Sequence, residues 1–258
     1  MITEEPLTTE ENLPEDKVKQ YRERGFVAIQ GIISKERAAR YREAALELAA
    51  RRRSSFDRKV FTQLVNAWRE SEPLKELTLD PNVASVAETL AGGPLRLWHD
   101  QVLIKNPKNS APTEFHQDQP YWPHANSVRP ISAWVALCDV PVERGCMTFI
   151  PGSQQRTGLA AQDLTDAGSL MSLSPDLRWE ERITVPLKAG DCTFHHGRTA
   201  HMATPNFTDD PRVAHVVIFI DAGTTYRKKP HVVTDSLDLE DGAPLDGELF
   251  PRVPVRPE

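Results

Sequence analysis

The first third of the chain places its apolar residues at helical spacing, and the last two thirds place them at strand spacing. From Pro14, the residues Val18, Tyr21 and Phe26 fall near one face of a helix that Gly25 stops. The apolar run Phe26-Val27-Ala28-Ile29, bounded by Gly31, predicts a strand. Ser34 is an N-cap for a long helix whose Ala/Leu/Tyr stripe runs through Ala50. Residues 60–78 and 81–91 predict two more helices, the second opened by Asp80-Pro81 and stopped by Gly92-Gly93-Pro94.

At Leu95 the texture changes. Residues 95–105 read as a strand ended by Asn106-Pro107, with further strands at 131–138, 146–150, 183–187, 191–195 and 212–221. Proline and glycine punctuate them, and no helices are predicted between them. Short strands in that order argue an antiparallel sandwich or barrel, so the class is mainly β with α. The expected layout is a single domain, 14–258: a helical layer over 14–93 packed on one sheet, a barrel over 95–222, and a C-terminal wrap or lid over 223–258. Residues 1–13 read as a disordered lead.

Composition narrows the chemistry. A 258-residue chain with 39% hydrophobic and 26% charged residues is ordinary for a globular protein. Its net charge of -6 gives no reason to expect nucleic-acid binding. The basic run Arg51-Arg52-Arg53 ends a predicted helix, where cations suit the helix dipole. The acidic N-terminus lacks the apolar core of a signal or transit peptide, and no apolar run approaches the ~18 residues of a membrane span. Cys138, Cys146 and Cys192 are odd in number, have no CxxC spacing and sit in apolar settings, which reads as reduced thiols in a cytoplasmic protein.

The candidate chemistry starts at Phe115-His116-Gln117-Asp118. In an extended segment residues i and i+2 share a side, so an imidazole and a carboxylate would project together. Two such ligands are part of the 2-His-1-carboxylate triad that holds iron(II) with open positions. Alone the pair is a weak signal. It gains force from Gly190-Asp191-Cys192-Thr193-Phe194-His195-His196-Gly197-Arg198-Thr199-Ala200-His201, a turn, a strand and a further turn bearing histidines, which a jelly roll could return to the same place. Eleven residues later Arg212 opens the apolar run Val213–Ile220. An arginine facing an apolar interior wants a carboxylate, and its planar fork suits the far end of 2-oxoglutarate.

Together these segments resemble the phytanoyl-CoA dioxygenase family of iron(II)/2-oxoglutarate oxygenases, from GFVAIQGIIS through HQD at 116–118, Trp134, GCMTFIPGSQ at 145–154 and GDCTFHHGRTAHMATPN at 190–206 to Arg212. The resemblance implies a double-stranded β-helix (jelly roll, cupin-like) and a dioxygenase that hydroxylates a small or medium-sized organic substrate, consuming O2 and releasing succinate and CO2. It implies iron on His116, Asp118 and His201, and 2-oxoglutarate on Arg212, with Trp134 packed beside it. Gln101 is implied to face co-substrate or substrate, with His99 and Leu103, and Lys105 if the strand runs that far, on its face by alternation. His196 is implied to support the distal ligand. One departure stands out: relatives commonly carry a serine two residues after the distal histidine, where this chain has Ala203. Thr204, or a hydroxyl on another strand, is the expected substitute. Because Asp118 is retained, a halogenase is not expected.

Tyr121, Trp122 and His124 are candidates for the substrate wall, with Trp98 a further aromatic and the 226–235 tail closing over it. Lys105, Lys108 and Arg129 are cations scattered near the pocket side. His195 alternates away from His196 and reads as a cap on the sheet, and His215 as a satisfied core histidine. Two other classes are weighed against the oxygenase: a cupin-like metalloenzyme (hydrolase or isomerase), and a non-catalytic binding barrel. The first has no use for Arg212; the second predicts no succinate even with iron present, and no ligand is missing to favour it. Substrate identity and oligomeric state are not written in these residues.

Overall fold

The computed structural model describes residues 13–54, 60–109 and 111–253. The lead expected at 1–13 lies outside them apart from Leu13, as do residues 254–258 of the expected wrap.

Helix α1 (Glu15–Arg24) ends where Gly25, at φ +80°, donates its N–H to Tyr21 O. A Cβ there would also meet Gln154 and Thr199 at 2.4 and 2.5 Å, so only glycine fits both the turn and the contact. Strand β1 (Phe26–Ile29) follows, then α2 (Lys35–Arg51), capped by Ser34 Oγ accepting from Arg37 N at 3.2 Å. The segment 60–78 departs from the expected helix. It forms strand β2 (Thr62–Val65), a left-handed Asn66, a 3-10 turn at 67–69 and a short α3 (Glu72–Thr78). Val60, Thr62 and Val65 are β-branched, and β2 pairs with the open edge of the next strand, so sheet pairing overrides the helical pattern. Helix α4 (Pro81–Ala91) begins as expected, with Asp80 Oδ1 accepting from Asn82 N and Val83 N.

The remaining strands are β3 (Leu95–Lys105), β4 (Thr113–His116), β5 (Ile131–Ala136), β6 (Met147–Phe149), β7 (Ile183–Val185), β8 (Cys192–His196), β9 (His201–Ala203) and β10 (Arg212–Asp221). β4 and β9 were not expected as strands. Nor was α5 (Ser169–Leu173), which interrupts the connection from β6 to β7. Every pairing is antiparallel: a six-stranded sheet ordered β1-β8-β5-β10-β3-β2 faces a four-stranded sheet ordered β4-β9-β6-β7. This is the jelly-roll arrangement, open and not the closed barrel expected, because the described strands of the two sheets share no ladder.

The large sheet is buried on both faces. Its outer face, with Val27, Phe194, Val217 and Phe219, packs against α1, α2, α3 and α4. Its inner face meets the small sheet through Phe26, Trp134, Phe149 and Ile218. β10 lies at the centre, and all ten of its residues are buried. In β3 the pleat is broken once: Ile218 pairs with His99 and Phe219 with Leu97, so Trp98 is the extra residue of a bulge. Leu95 and Leu97 can then face the helices at one end and Val102 and Ile104 at the other, while His99, Gln101 and Leu103 turn inward. Among the described residues no helix is long and apolar enough to cross a membrane.

Asp80 both caps α4 and pairs with Arg37 Nη2 at 2.7 Å. Asp80→Ala is expected to lower the unfolding free energy by about 1–2 kcal/mol, the cost of a lost cap. Asp80→Asn, which can still cap, should recover most of it in a denaturant melt.

Candidate active site

The inner faces of the two sheets enclose a cavity of about 320 Å³. His116, Asp118 and His201 stand in its wall, each offering one ligand atom with all three atoms within 4.8 Å of one another. His116 and His201 are direct cross-strand partners on β4 and β9, their ring centroids 4.3 Å apart. Their Nδ1 atoms lie 2.7 Å from Glu114 O and 2.9 Å from Thr199 O. A carbonyl only accepts, so each Nδ1 carries the proton and each Nε2 presents a lone pair to the centre. Burial, then His116, pushes the His201 pKa down to about 3, which keeps that ring neutral and fit to ligate.

Asp118 reaches this place differently from the expected alternation. β4 ends at His116, and Asp118 sits in helical backbone conformation at the start of a 3-10 turn, 119–121. Its Oδ1 lies 3.5 Å from His116 Nε2 and 3.7 Å from His201 Nε2. Burial raises its pKa, but the surrounding histidines, His201 foremost, outweigh that and hold the carboxyl well below its usual range. Between the ligands, Gln117 points the other way. Its Nε2 faces the carbonyls of Ser153, Arg156 and Arg198, tying the segment to neighbouring loops. Two imidazoles and one carboxylate facing one point are the donor set that iron(II) takes.

At the other end of the cavity is Arg212, 2% exposed, its guanidinium 5.1 Å over the Trp134 ring. Nη1 donates to Leu103 O at 3.2 Å, while Nε has no partner. Lys105 is wholly buried beside it, donating Nζ to Ala111 O at 2.8 Å. A Cβ on Gly145 would lie 3.1 Å from both Arg212 Nε and Lys105 Cδ, so the glycine makes room for the two cations side by side. Burial takes Arg212 down to about 10, still charged at neutral pH, and burial together with Arg212 takes Lys105 down to about 7. Among the described residues no carboxylate lies within ion-pair distance of either.

Other expected residues are distributed unevenly. His99, Gln101, Leu103, Tyr121 and Trp122 line the cavity. Gln101 Oε1 accepts from Gln63 Nε2 at 2.5 Å, and Tyr121 hydrogen-bonds to Gln162 O. Pro230, His231 and Val232 of the C-terminal strap line it too. His124 and Trp98 do not. The bulge turns Trp98 inward behind the wall, where its ring packs 4.5 Å from that of His124 and 5.3 Å from that of Phe250. His124 fronts a separate basic cavity with Arg198, Arg227 and Lys229. Lys108 pairs with Asp209 at the surface and Arg129 with Asp221, both away from the site. Thr204 donates its hydroxyl to Val142 O and is turned from the cavity. His215 faces the helices, 2.8 Å from Thr78 Oγ1.

Three positions were not read from sequence. His196 was expected near the distal ligand, yet it is His195 that faces the cavity. β8 alternates, so 193 and 195 point inward, and His196 instead accepts from Arg198 N and meets Val128 O. Ser132, directly opposite His195 on β5, donates to Asp118 Oδ2 at 3.3 Å. Thr113 lines the cavity opposite Ala203, because a register shift between Thr113 and His116 turns both inward in spite of their odd spacing. A threonine three residues before a metal-ligand histidine was the available signal; the bulge that gives it meaning is invisible in one sequence.

Replacing any one of His116, Asp118 or His201 by Ala is expected to weaken cobalt(II) binding by about a hundredfold or more, since each supplies one of three ligands. A visible-absorption titration reads it.

The comparisons agree with this geometry. The family profile for phytanoyl-CoA dioxygenase (PhyH) matches residues 21–214. The non-heme alpha ketoglutarate dependent carbocyclase SnoK from nogalamycin biosynthesis superposes with a TM-score of 0.87 at 39% identity, over 97% of this chain and 100% of that one. The epimerase SnoN, solved with Fe3+, alpha ketoglutarate and nogalamycin RO, gives 0.83 at 38% identity over 93% and 98%. The mouse phytanoyl-CoA dioxygenase domain-containing protein 1 is 26% identical over 174 residues, which span 65% of this chain and 60% of that protein. With a His-Asp-His triad at one end of the cavity, a buried arginine at the other and these relatives, the chain belongs to the phytanoyl-CoA dioxygenase family.

Proposed function

We propose that the protein is an iron(II)- and 2-oxoglutarate-dependent dioxygenase that oxidises a medium-sized, partly apolar organic molecule. The observation that carries this is the pair of buried cations, Arg212 and Lys105, without a carboxylate partner in the cavity that holds the triad. A buried charge without a partner is costly, and the far carboxylate of 2-oxoglutarate supplies one. His116, Asp118 and His201 hold the metal, which when bound activates O2 against the co-substrate, giving succinate and CO2. The Trp134 ring and the Arg212 fork fix the co-substrate's distance from the triad. Thr113, opposite Ala203, supplies the hydroxyl that the family's serine would give.

Tyr121, Trp122, His99 and Gln101 form the substrate wall, with Pro230–Val232 excluding water from its mouth. The likeness to SnoK and SnoN, both from nogalamycin biosynthesis, favours a natural-product substrate over an acyl thioester. Among the described residues no phosphate cradle lines the site. We place the enzyme in the cytoplasm, a reading supported by three buried free thiols.

Anaerobic mixing of the protein with iron(II) and 2-oxoglutarate should give a weak visible charge-transfer band, and no band under any order of addition would sink the proposal. Arg212→Ala is expected to raise the 2-oxoglutarate Kd at least thirtyfold, from the loss of about 2 kcal/mol or more. Thr113→Ala should raise it about tenfold, from one hydrogen bond to a charged group. Mass spectrometry of products from a panel of natural products then separates hydroxylation, which adds oxygen, from ring closure, which removes two hydrogens, and from epimerisation, which leaves the mass unchanged.

Lys105 gives a pH test. With its pKa down to about 7, it is mostly neutral at pH 8 in the free protein. A bound dianion raises that pKa, so binding at pH 8 should take up close to one proton. Calorimetry in buffers of different ionisation enthalpy measures the uptake, and Lys105→Met should abolish it.

A further inference from the structure

His195 is a buried imidazole with no ordinary employment. It is 1% exposed, lines the cavity, and neither ring nitrogen has a hydrogen-bond partner among the described residues. A histidine kept in such a place costs stability unless something in the working site uses it. Its Nε2 stands 3.4 Å from Asp118 Oδ2, and its ring centroid is 4.6 Å from that of His201.

The two oxygens of Asp118 have different surroundings. Oδ1 faces the Nε2 atoms of both ligand histidines, whereas Oδ2 faces His195 Nε2 and the Ser132 hydroxyl. His195 and Ser132 are cross-strand partners on β8 and β5, so the rigid sheet presents both to Oδ2 as a cradle, Ser132 within hydrogen-bond distance and His195 Nε2 at 3.4 Å. Asp118 has no comparable support of its own. It lies beyond the end of β4, and its carboxylate makes no capping hydrogen bond to the turn that follows.

We propose that His195, with Ser132, is the positioning pair that fixes Asp118 as a one-oxygen ligand: Nε2–H and Oγ–H hold Oδ2, leaving Oδ1 alone for the metal. The proposal rests on the reading of His116, Asp118 and His201 as a metal site. A carboxylate released from the cradle can turn on its Cα–Cβ and Cβ–Cγ bonds and offer both oxygens, closing a position that the co-substrate needs. The cradle acts through Asp118, so His195 is not itself a ligand. Since Oδ2 only accepts, the tautomer required is Nε2–H, the opposite of that in His116 and His201.

Cobalt(II), which is inert to O2 turnover, is the probe, and its Kd and ligand count are the readouts. His195→Phe should weaken cobalt(II) binding about ten- to a hundredfold, the range for an orienting partner of a ligand. His195→Gln, which restores an N–H donor, should return the Kd to within a few-fold of wild type. Ser132→Ala should weaken it less than His195→Phe, and it tests the cradle if the Phe variant does not fold. X-ray absorption should count two imidazoles in the wild type and in His195→Gln.

A wild-type protein that binds no cobalt(II) overturns the metal site and the proposal with it. A wild type that binds, with His195→Phe or Ser132→Ala binding equally well, overturns the proposal alone. Three imidazoles in the wild type, or a loss that Gln does not repair, would make His195 a ligand and also overturn it.

Discussion

A pleated strand sends alternate side chains to opposite faces, and in a sheet buried on both sides every residue must obey that count or be moved by a bulge. Two one-residue irregularities decide what this cavity contains. In β3, the bulge at Trp98 lets leucines face the helices at one end of the strand while His99, Gln101 and Leu103 face the site at the other. In β4, the shift between Thr113 and His116 turns a hydroxyl and a metal ligand to the same side. Remove either and one of the site's polar groups moves into a hydrophobic layer.

Charge is divided across the cavity with equal economy. One end carries a carboxylate, held well below its usual pKa, between two imidazoles. The other carries a charged arginine beside a lysine whose pKa burial and that arginine lower to about 7, next to an aromatic ring. This arrangement suits a molecule with a carboxylate at one end and a metal-chelating group at the other, which would answer both halves. Preorganisation here means that the protein folds with both halves already in place, so binding needs little rearrangement.

Much of this was legible in the sequence, because ligand chemistry is carried by residue type and order. His116, Asp118, His201 and Arg212 could be named from HxD, the distal histidine and the arginine that follows. The capped helices at Ser34 and Asp80 could be read from local chemistry alone. What could not be read depends on register. Thr62–Val65 looks helical until the edge of β3 is present to pair with it. The inward choice between His195 and His196 turns on where β8 starts its alternation. Asp118 was placed by a pleat that ends two residues too soon, and Thr204 looked like the missing hydroxyl only because sequence distance stood in for direction.

The mouth of the cavity has a separate origin from its floor. The metal ligands and Arg212 come from β4, the turn after it, β9 and β10. The rim comes from β2, with the residue before it, and from Pro230–Val232 in the C-terminal strap. Those rim segments bear no ligand, and Val232 is 58% exposed. Substitution, lengthening or exchange of the strap therefore changes which molecules enter while the oxidising machinery stays intact. In such a scaffold new substrates are acquired by rewriting the door, and a lineage can diversify quickly without reinventing its reaction.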